Sequence, residues 1–220
     1  MQKTVPFVPG ASIIPPITLD GGIIAGGLGS RMNGLDKGLL ELNALTFART
    51  IGQQLRPHIR RLIINCNRNE EIYRTIADLV VGDMPRTIDG QSKIGFDGPL
   101  AGIRAILSAS TADYVLFSPC DTPRIPIDYA PRMLSCLSLQ ETDSGELPMV
   151  VASDGERWHP LHILMPVKNL VSISEFLDAG ERKMMFWLKQ HRPLVCDFSD
   201  CGPAFFNVNS PRDLDQLIAD

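Results

Sequence analysis

The sequence lacks the residue patterns that define several common classes of protein. Its five cysteines form no Cys-x-x-Cys pair and it has only four histidines, so the spacing of a zinc site does not occur. Lys and Arg (21 residues) do not outnumber Asp and Glu (25), and the net charge of -4 argues against a nucleic-acid binder. No stretch approaches the ~18 apolar residues that a membrane span needs. We therefore expect neither a nucleic-acid partner nor a membrane partner.

The start of the chain also lacks the apolar core of a secretory signal. Prolines at positions 6, 9, 15 and 16 interrupt residues 1–16, which show no periodicity. We predict a flexible N-terminal extension over 1–16 and one domain over 17–220. Unpaired cysteines fit buried thiols in a reducing compartment, so the expected localisation is cytoplasmic.

From residue 17 onward, short β-branched runs alternate with amphipathic stretches. This alternation predicts an α/β fold with a single doubly wound, mostly parallel sheet and helices on both faces. In such sheets ligands bind at the carboxyl ends of the strands. The segment 82–98 mixes Gly, Pro, Asp and Lys, and is predicted to be a surface loop. Strands are predicted at 17–24, 62–65, 79–81, 114–117, 149–152, 161–165 and 194–198, and helices at 46–56, 69–77, from 99, and at 127–138, 167–179, 182–191 and 211–219.

A glycine-rich segment follows the first predicted strand and runs from Ala25 to Lys37. Glycines at 26, 27 and 29 allow backbone N–H groups to turn inward around an anion. Arg31 and Lys37 add two cations to the same segment. The pattern predicts a cradle for a triphosphate.

Three other interpretations of this segment are possible. A dinucleotide-binding turn would need a glycine where Met32 stands and an acidic residue after the second strand, which ends in Asn65. A P-loop would need Lys directly after Gly34, but two residues separate them. A tight turn without a ligand remains open, although two cations near one concavity disfavour it.

Two further segments follow the order expected of a nucleotide site. Asp121 comes just after the strand predicted at 114–117, so its carboxylate should face the same edge as the glycine segment, where it could hold Mg²⁺ or cap a turn. These two roles are equally supported by the segment alone.

Gly98 and Gly102 would let a base or sugar approach the start of a helix, or simply begin it. Cys120 is interpreted as a small buried residue and not as a nucleophile.

Taken together, these segments closely resemble the molybdenum cofactor guanylyltransferases of the MobA type, within the nucleotidyltransferase superfamily. The resemblance covers nearly all of 17–215 and implies a Rossmann-like nucleotidyltransferase fold. It rests on Ile24-Ala-Gly-Gly-Leu-Gly-Ser-Arg-Met, Leu35-Asp-Lys-Gly-Leu-Leu-Glu-Leu-Asn, Asn65-Cys-Asn67, Gly98-Pro-Leu-Ala-Gly, Cys120-Asp-Thr-Pro, Asp154-Gly-Glu-Arg-Trp-His-Pro, Gly180-Glu-Arg and Phe206-Asn-Val-Asn-Ser-Pro211.

The resemblance implies specific roles for matching residues. Asp121 would hold Mg²⁺, and Asn207 and Asn209 would lie on the pterin side. An aspartate from the loop before Gly98 would contact the nucleotide, and Asp89 fits its spacing better than Asp83. The rest of the implied GTP site comprises Ile24, Ala25, Gly26, Lys37 and Asn65.

The function implied is transfer of GMP from GTP to molybdopterin, with release of pyrophosphate. Arg31, Lys37 and Asp121 would be the catalytic residues, acting by positioning and charge neutralisation and without a general base. Molybdenum-insertion proteins and apo-molybdoenzymes are further expected partners. Two alternatives stay open: another phosphorylated acceptor or a cytidylyl variant, and a non-catalytic carrier that binds nucleotide.

Overall fold

The computed structural model describes residues 4–5, 17–27, 34–88, 91–93, 98–138, 148–202 and 204–219. The strands of these segments are β1 Thr4–Val5, β2 Leu19–Ile24, β3 Glu41–Leu42, β4 Leu45–Thr46, β5 Leu62–Asn65, β6 Leu79–Val81, β7 Arg86–Ile88, β8 Gln91–Lys93, β9 Tyr114–Pro119, β10 Val150–Ser153, β11 Trp158–Pro166 and β12 Leu194–Asp197. The α-helices are α1 Phe47–Leu55, α2 Glu70–Tyr73, α3 Pro99–Ala109, α4 Tyr129–Ser138, α5 Leu170–Asp178, α6 Met184–Gln190 and α7 Pro211–Ala219.

Within the described residues, the main sheet has eight strands in the order β1-β12-β10-β11-β9-β2-β5-β6. Strand β11 runs antiparallel to both of its neighbours, β10 and β9, and the other pairs are parallel. The prediction of a mostly parallel sheet is therefore confirmed. Strands β3–β4 and β7–β8 form two separate hairpins.

Helices cover both faces of the sheet, as the sequence predicted. Alternating side chains of β9 show the division, since Leu116 packs in a cluster with α1, α2 and α4, whereas Phe117 packs in a cluster with α3, α5 and α6. Both side chains are fully buried. Burying one such side chain contributes about 1.5–3 kcal/mol to the free energy of unfolding, so both helical layers stabilise the sheet. A third, smaller cluster joins the C-terminal helix α7 to the start of α1.

Some elements differ from their predicted bounds for local reasons. The helix predicted at 69–77 is a single turn, α2, because the chain must bend back to pair β6 with β5. The predicted loop 82–98 contains the hairpin β7–β8, whose polar strands gave no apolar alternation. In the predicted extension 1–16, Thr4–Val5 pairs with β12. None of the helices in the described residues has the length and apolar composition that crossing a bilayer requires.

Candidate functional site

Three segments that lie far apart in the sequence meet around one lysine ammonium. Lys37 Nζ lies 3.1 Å from Asp121 Oδ2 and donates a 2.5 Å hydrogen bond to Asn209 Oδ1. The Lys37 and Asp121 side chains are 18% and 19% exposed, so the pair is shielded yet open to a ligand. A cation, a carboxylate and an amide thus share one position at the carboxyl edge of the sheet.

The sheet brings Asp121 to this position. Strands β2 and β9 are parallel, and Cys120 N donates to Ile24 O at 3.0 Å just beyond their ends. Within the described residues the Asp121 carboxylate caps no helix, and its side-chain partner is Lys37. No hydrogen bond among the described residues therefore supports the alternative role of Asp121 as a cap.

The segment from Asn207 to Asn209 lies against the turn that follows β9. Val208 N donates to Asp121 O at 2.8 Å, and Asn207 Oδ1 accepts a 2.8 Å hydrogen bond from the Thr122 hydroxyl. The turn into α7 is held instead by Asp213, whose Oδ2 accepts from the backbone N–H groups of residues 209 and 210. Among the described residues, neither asparagine side chain bonds to the turn into α7.

A network of amides lies beside the glycine segment, at the ends of β5 and β6. Asn65 Nδ2 donates to Asp83 Oδ1 at 3.0 Å, and Asn67 Nδ2 donates to Asp83 Oδ2 at 2.9 Å and to Gly26 O at 3.3 Å. Ala25 N donates to Asn65 O at 2.8 Å, which fixes the start of the segment. Asp83, the alternative to Asp89 in the sequence, is therefore bonded to the predicted site residue Asn65.

The fully buried Asn65 Oδ1 atom has no hydrogen-bond donor among the described residues. It lies in the space left by two glycines, because a Cβ atom at Gly102 would be 2.4 Å from it and one at Gly26 would be 2.7 Å from it. The structure thus adds a second reason for these glycines, beyond the predicted anion cradle at Gly26 and the predicted approach of a base or sugar at Gly102. Gly98 has a different reason, since its φ of 74° favours glycine.

Two predicted site residues, Arg31 and Asp89, lie outside the described residues, as does Gly29. Ile24 and Ala25 are at the end of β2, and Ile24 is in register with Asn65. Cys120 is buried, and burial raises the pKa of its thiol well above the usual range, as expected of a packing residue. In the described part of the chain no three His, Cys, Asp or Glu side chains form a metal-binding group.

The residues that hold Asp36 and the backbone just before Lys37 were not predicted from the sequence. Asp36 accepts hydrogen bonds from the Tyr73 hydroxyl at 2.6 Å and from Asn69 Nδ2 at 2.9 Å, and Arg68 Nη2 donates to Leu35 O at 2.9 Å. The polar residues that follow the strand ending at Asn65 were the available signal, because they had to lie at the same edge.

A lysine, a carboxylate and buried amides at the carboxyl edge of a doubly wound sheet define a nucleotide-handling α/β protein. Comparison with known proteins narrows this class. The model of the MobA-like NTP transferase domain matches residues 21–194. The molybdenum cofactor guanylyltransferase of Shewanella loihica is 40% identical over 199 residues, which are 90% of this chain and 95% of that protein. That of Shewanella piezotolerans is 39% identical over 201 residues, 91% and 92% of the two chains.

The chain belongs to the MobA-like NTP transferase family. The solved structure of molybdopterin-guanine dinucleotide biosynthesis protein A from Archaeoglobus fulgidus has the same fold, with a TM-score of 0.65 and 17% identity over 91% of this chain and 97% of that one. The resemblance stated from the sequence, the fold class and the assignment to the nucleotidyltransferases are thereby confirmed.

Proposed function

We propose that the protein transfers GMP from GTP to molybdopterin and releases pyrophosphate. The observation that carries this proposal is the meeting of Lys37, Asp121 and Asn209 at one position. Such a cluster can bind phosphate, hold a cation and contact a polar acceptor at once. The guanylyl group and the acceptor follow from the names of the two Shewanella relatives, of which this chain covers more than nine-tenths.

Lys37 is the proposed phosphate ligand. Its ammonium is a compact charge with three donors on a flexible stem, and it is held close to the mouth of the site by Asp121 and Asn209. When a triphosphate enters, the ammonium can turn from these partners to the β- and γ-phosphate oxygens and neutralise the pyrophosphate that leaves. Arg31, which is outside the described residues, is proposed to share this role.

Asp121 is the proposed ligand of a divalent cation, which we infer to be Mg²⁺. The donor set fits Mg²⁺, because this ion commonly takes one or two carboxylates and completes its shell with phosphate oxygens and water. Asp121 offers one partly exposed carboxylate whose partner, Lys37, can move away. When bound there, Mg²⁺ would neutralise charge on the α-phosphate.

The amide network beside the glycine segment is the proposed nucleotide site. Asn65, Gly26 and Asp83 are joined directly or through Asn67, so the position of each depends on the others. Asp83 joins Asp89 in this proposal because its carboxylate is bonded to Asn65, whereas Asp89 lies outside the described residues. Ile24 and Ala25 contribute backbone groups beside this amide network.

In the proposed reaction a terminal phosphate oxygen of molybdopterin attacks the α-phosphorus of GTP in line. A new P–O bond forms as the bond between the α-phosphorus and the bridging oxygen breaks, and pyrophosphate leaves. The acceptor phosphate is already ionised near neutral pH, so no side chain must remove a proton. Asn207 and Asn209 would orient the acceptor, since amides both donate and accept hydrogen bonds.

Asp121→Asn tests the proposed metal ligand. The amide keeps the size of the side chain but removes its charge, so pyrophosphate release should fall by roughly 100- to 1,000-fold, the effect of removing one electrostatic group from a reacting centre. Lys37→Ala should weaken GTP binding even without metal. The measurement is pyrophosphate release against Mg²⁺ concentration.

Asp215→Asn, an exposed change on α7, is the matched control and should keep the wild-type rate. Thermal melts confirm that each variant is folded. A near-normal rate with unchanged Mg²⁺ dependence in Asp121→Asn would remove Asp121 from the metal site and make Asp83 the next candidate.

A further inference from the structure

The carboxylate that precedes Lys37 in the chain is almost fully enclosed by hydrogen-bond donors. Asp36 Oδ1 accepts from Gly38 N at 3.2 Å and from the Tyr73 hydroxyl at 2.6 Å. Its Oδ2 accepts from Asn69 Nδ2 at 2.9 Å and lies 3.7 Å from Arg68 Nε. The side chain is only 6% exposed, so it does not serve as a ligand for bulk cations. Its partners instead fix the 3-10 turn Lys37–Leu39, which this carboxylate caps.

Arg68 fixes the backbone on the other side of the same carboxylate. Its guanidinium donates to Gly34 O at 2.5 Å, to Leu35 O at 2.9 Å and to Gly27 O at 3.4 Å. One side chain therefore ties the end of β2 to the residues just before Lys37. Only a planar guanidinium can reach several carbonyls and a carboxylate at once, which a lysine cannot do.

Tyr73 packs against the 3-10 turn Lys37–Leu39. Its ring is fully buried, and burial raises the pKa of its hydroxyl far above the usual range, so the group stays a neutral donor to Asp36. The turn rests directly on this hydroxyl, since a Cβ atom at Gly38 would be 2.3 Å from it. The contact leaves no space for a side chain at position 38.

A lysine side chain has four rotatable bonds, and its backbone decides which region the ammonium can reach. From the present turn the Lys37 ammonium reaches both Asp121 and Asn209. Neither Arg68 nor Tyr73 touches this ammonium directly. Their effect on it must pass through Asp36 and the backbone.

We propose that Asp36, Arg68 and Tyr73 are positioning residues that aim the Lys37 ammonium at the phosphates of the nucleotide. This inference deepens the proposed function and rests on the phosphate-binding role given there to Lys37. Loss of one member leaves the fold intact and moves the ammonium away from its productive position. The KM for GTP then rises, whereas the KM for the acceptor does not change.

Tyr73→Phe and Arg68→Lys test the inference. Each removes hydrogen bonds to Asp36 or to the neighbouring backbone, and each should raise KM for GTP by about 3- to 10-fold, the value of one hydrogen bond. The KM for the acceptor should stay at its wild-type value. Tyr114→Phe is the matched control, because this equally buried tyrosine donates one bond, to Pro148 O, at the far end of β9.

A second readout does not depend on catalysis. Pyridoxal phosphate labels lysines near phosphate sites and is fixed by borohydride, and inorganic pyrophosphate should protect Lys37 from it. In Tyr73→Phe and Arg68→Lys the pyrophosphate concentration that gives half protection, measured on the peptide that contains Lys37 so that the lysine introduced by Arg68→Lys does not contribute, should rise by about the same 3- to 10-fold. Labelling of Lys189, on α6, serves as the internal reference.

Unchanged protection of Lys37 in both variants would overturn the positioning role, whatever their rates. Equal shifts in Tyr114→Phe would also overturn it, because the effect would then be general to buried tyrosines. If Tyr73→Phe does not fold, Arg68→Lys decides, since this side chain is one-third exposed. A protein with shifted protection but no GMP transfer would retain the positioning role and refute the proposed function instead.

Discussion

Asn207 and Asn209 are two positions apart, but their side chains make different contacts. Asn207 is exposed, and in the described part of the chain its Nδ2 group has no partner, whereas Asn209 Oδ1 accepts from Lys37. Their side chains therefore point to different roles despite being two positions apart.

Asn207→Ala should raise the KM for molybdopterin and leave GTP affinity at its wild-type value, because the lost amide faces the proposed acceptor side. Asn209→Ala should do the same and in addition weaken GTP binding by about 3- to 10-fold, since Lys37 loses one hydrogen bond. Titration with GTP and with acceptor separates the two effects. A large drop in melting temperature with either change would instead indicate that the amides hold the turn before Pro211.

Candidate site residues could be predicted from the sequence, but the contacts between them could not. Lys37, Asp121 and Asn209 were all predicted as site residues, but positions 84 and 172 residues apart in the chain are joined only by the fold. Arg68 was not predicted, because contacts to backbone carbonyls leave no side-chain pattern, and its place just after β5 was the available signal.

At the scale of elements, the first turn of α3 is fitted to the end of β5. Gly102 lies against the Asn65 amide, which leaves no room for a Cβ atom at that position. Strand and helix must therefore keep this spacing for the amide network to form.

Gly102→Ala should displace the Asn65 amide and cost about 1–3 kcal/mol, the usual effect of overpacking a rigid contact. GTP affinity should fall with it, because Asn65 also orients Asp83. Gly98→Ala gives the contrast: its Cβ meets no atom within 4 Å, so the strain of its φ of 74° should lower stability without displacing the Asn65 amide. Wild-type stability and GTP affinity in Gly102→Ala would show that the helix simply shifts.

Most elements were predictable because apolar runs mark interior strands. Strand β9, fully buried on both faces, is the clearest case. The hairpin β7–β8 was not predictable, since Arg-Thr-Ile and Gln-Ser-Lys contain too few apolar residues to show a period. The shortened helix α2 was also missed, because the return of the chain to β6 overrides local helix propensity.

At the scale of the whole molecule, a buried histidine links stability to pH. His162 is 2% exposed, Nε2 has no partner among the described residues, and the ring packs on Tyr129 and Phe205. Burial, reinforced by His159, lowers the pKa of His162 well below its usual value. The unfolded chain therefore binds the proton more readily than the folded one below pH ~6.5.

Stability should consequently fall as the pH drops from about 6.5, by up to ~1.4 kcal/mol per pH unit for this one group. His162→Leu removes the group and should flatten that slope, even if it changes stability at pH 7. Urea unfolding of both proteins at pH 7 and pH 5 gives the comparison. An equal loss of stability in the two proteins would show that His162 accepts its proton in the folded state.

Pyrophosphate release tests most directly the proposal that the protein transfers GMP to molybdopterin. The protein would be mixed with Mg²⁺, molybdopterin and either GTP or CTP, and each mixture repeated without molybdopterin. We expect pyrophosphate with GTP only when molybdopterin is present, a product with the mass of the guanine dinucleotide, and little turnover of CTP. Equal or better turnover with CTP, or no acceptor-dependent pyrophosphate from GTP, would contradict the claim.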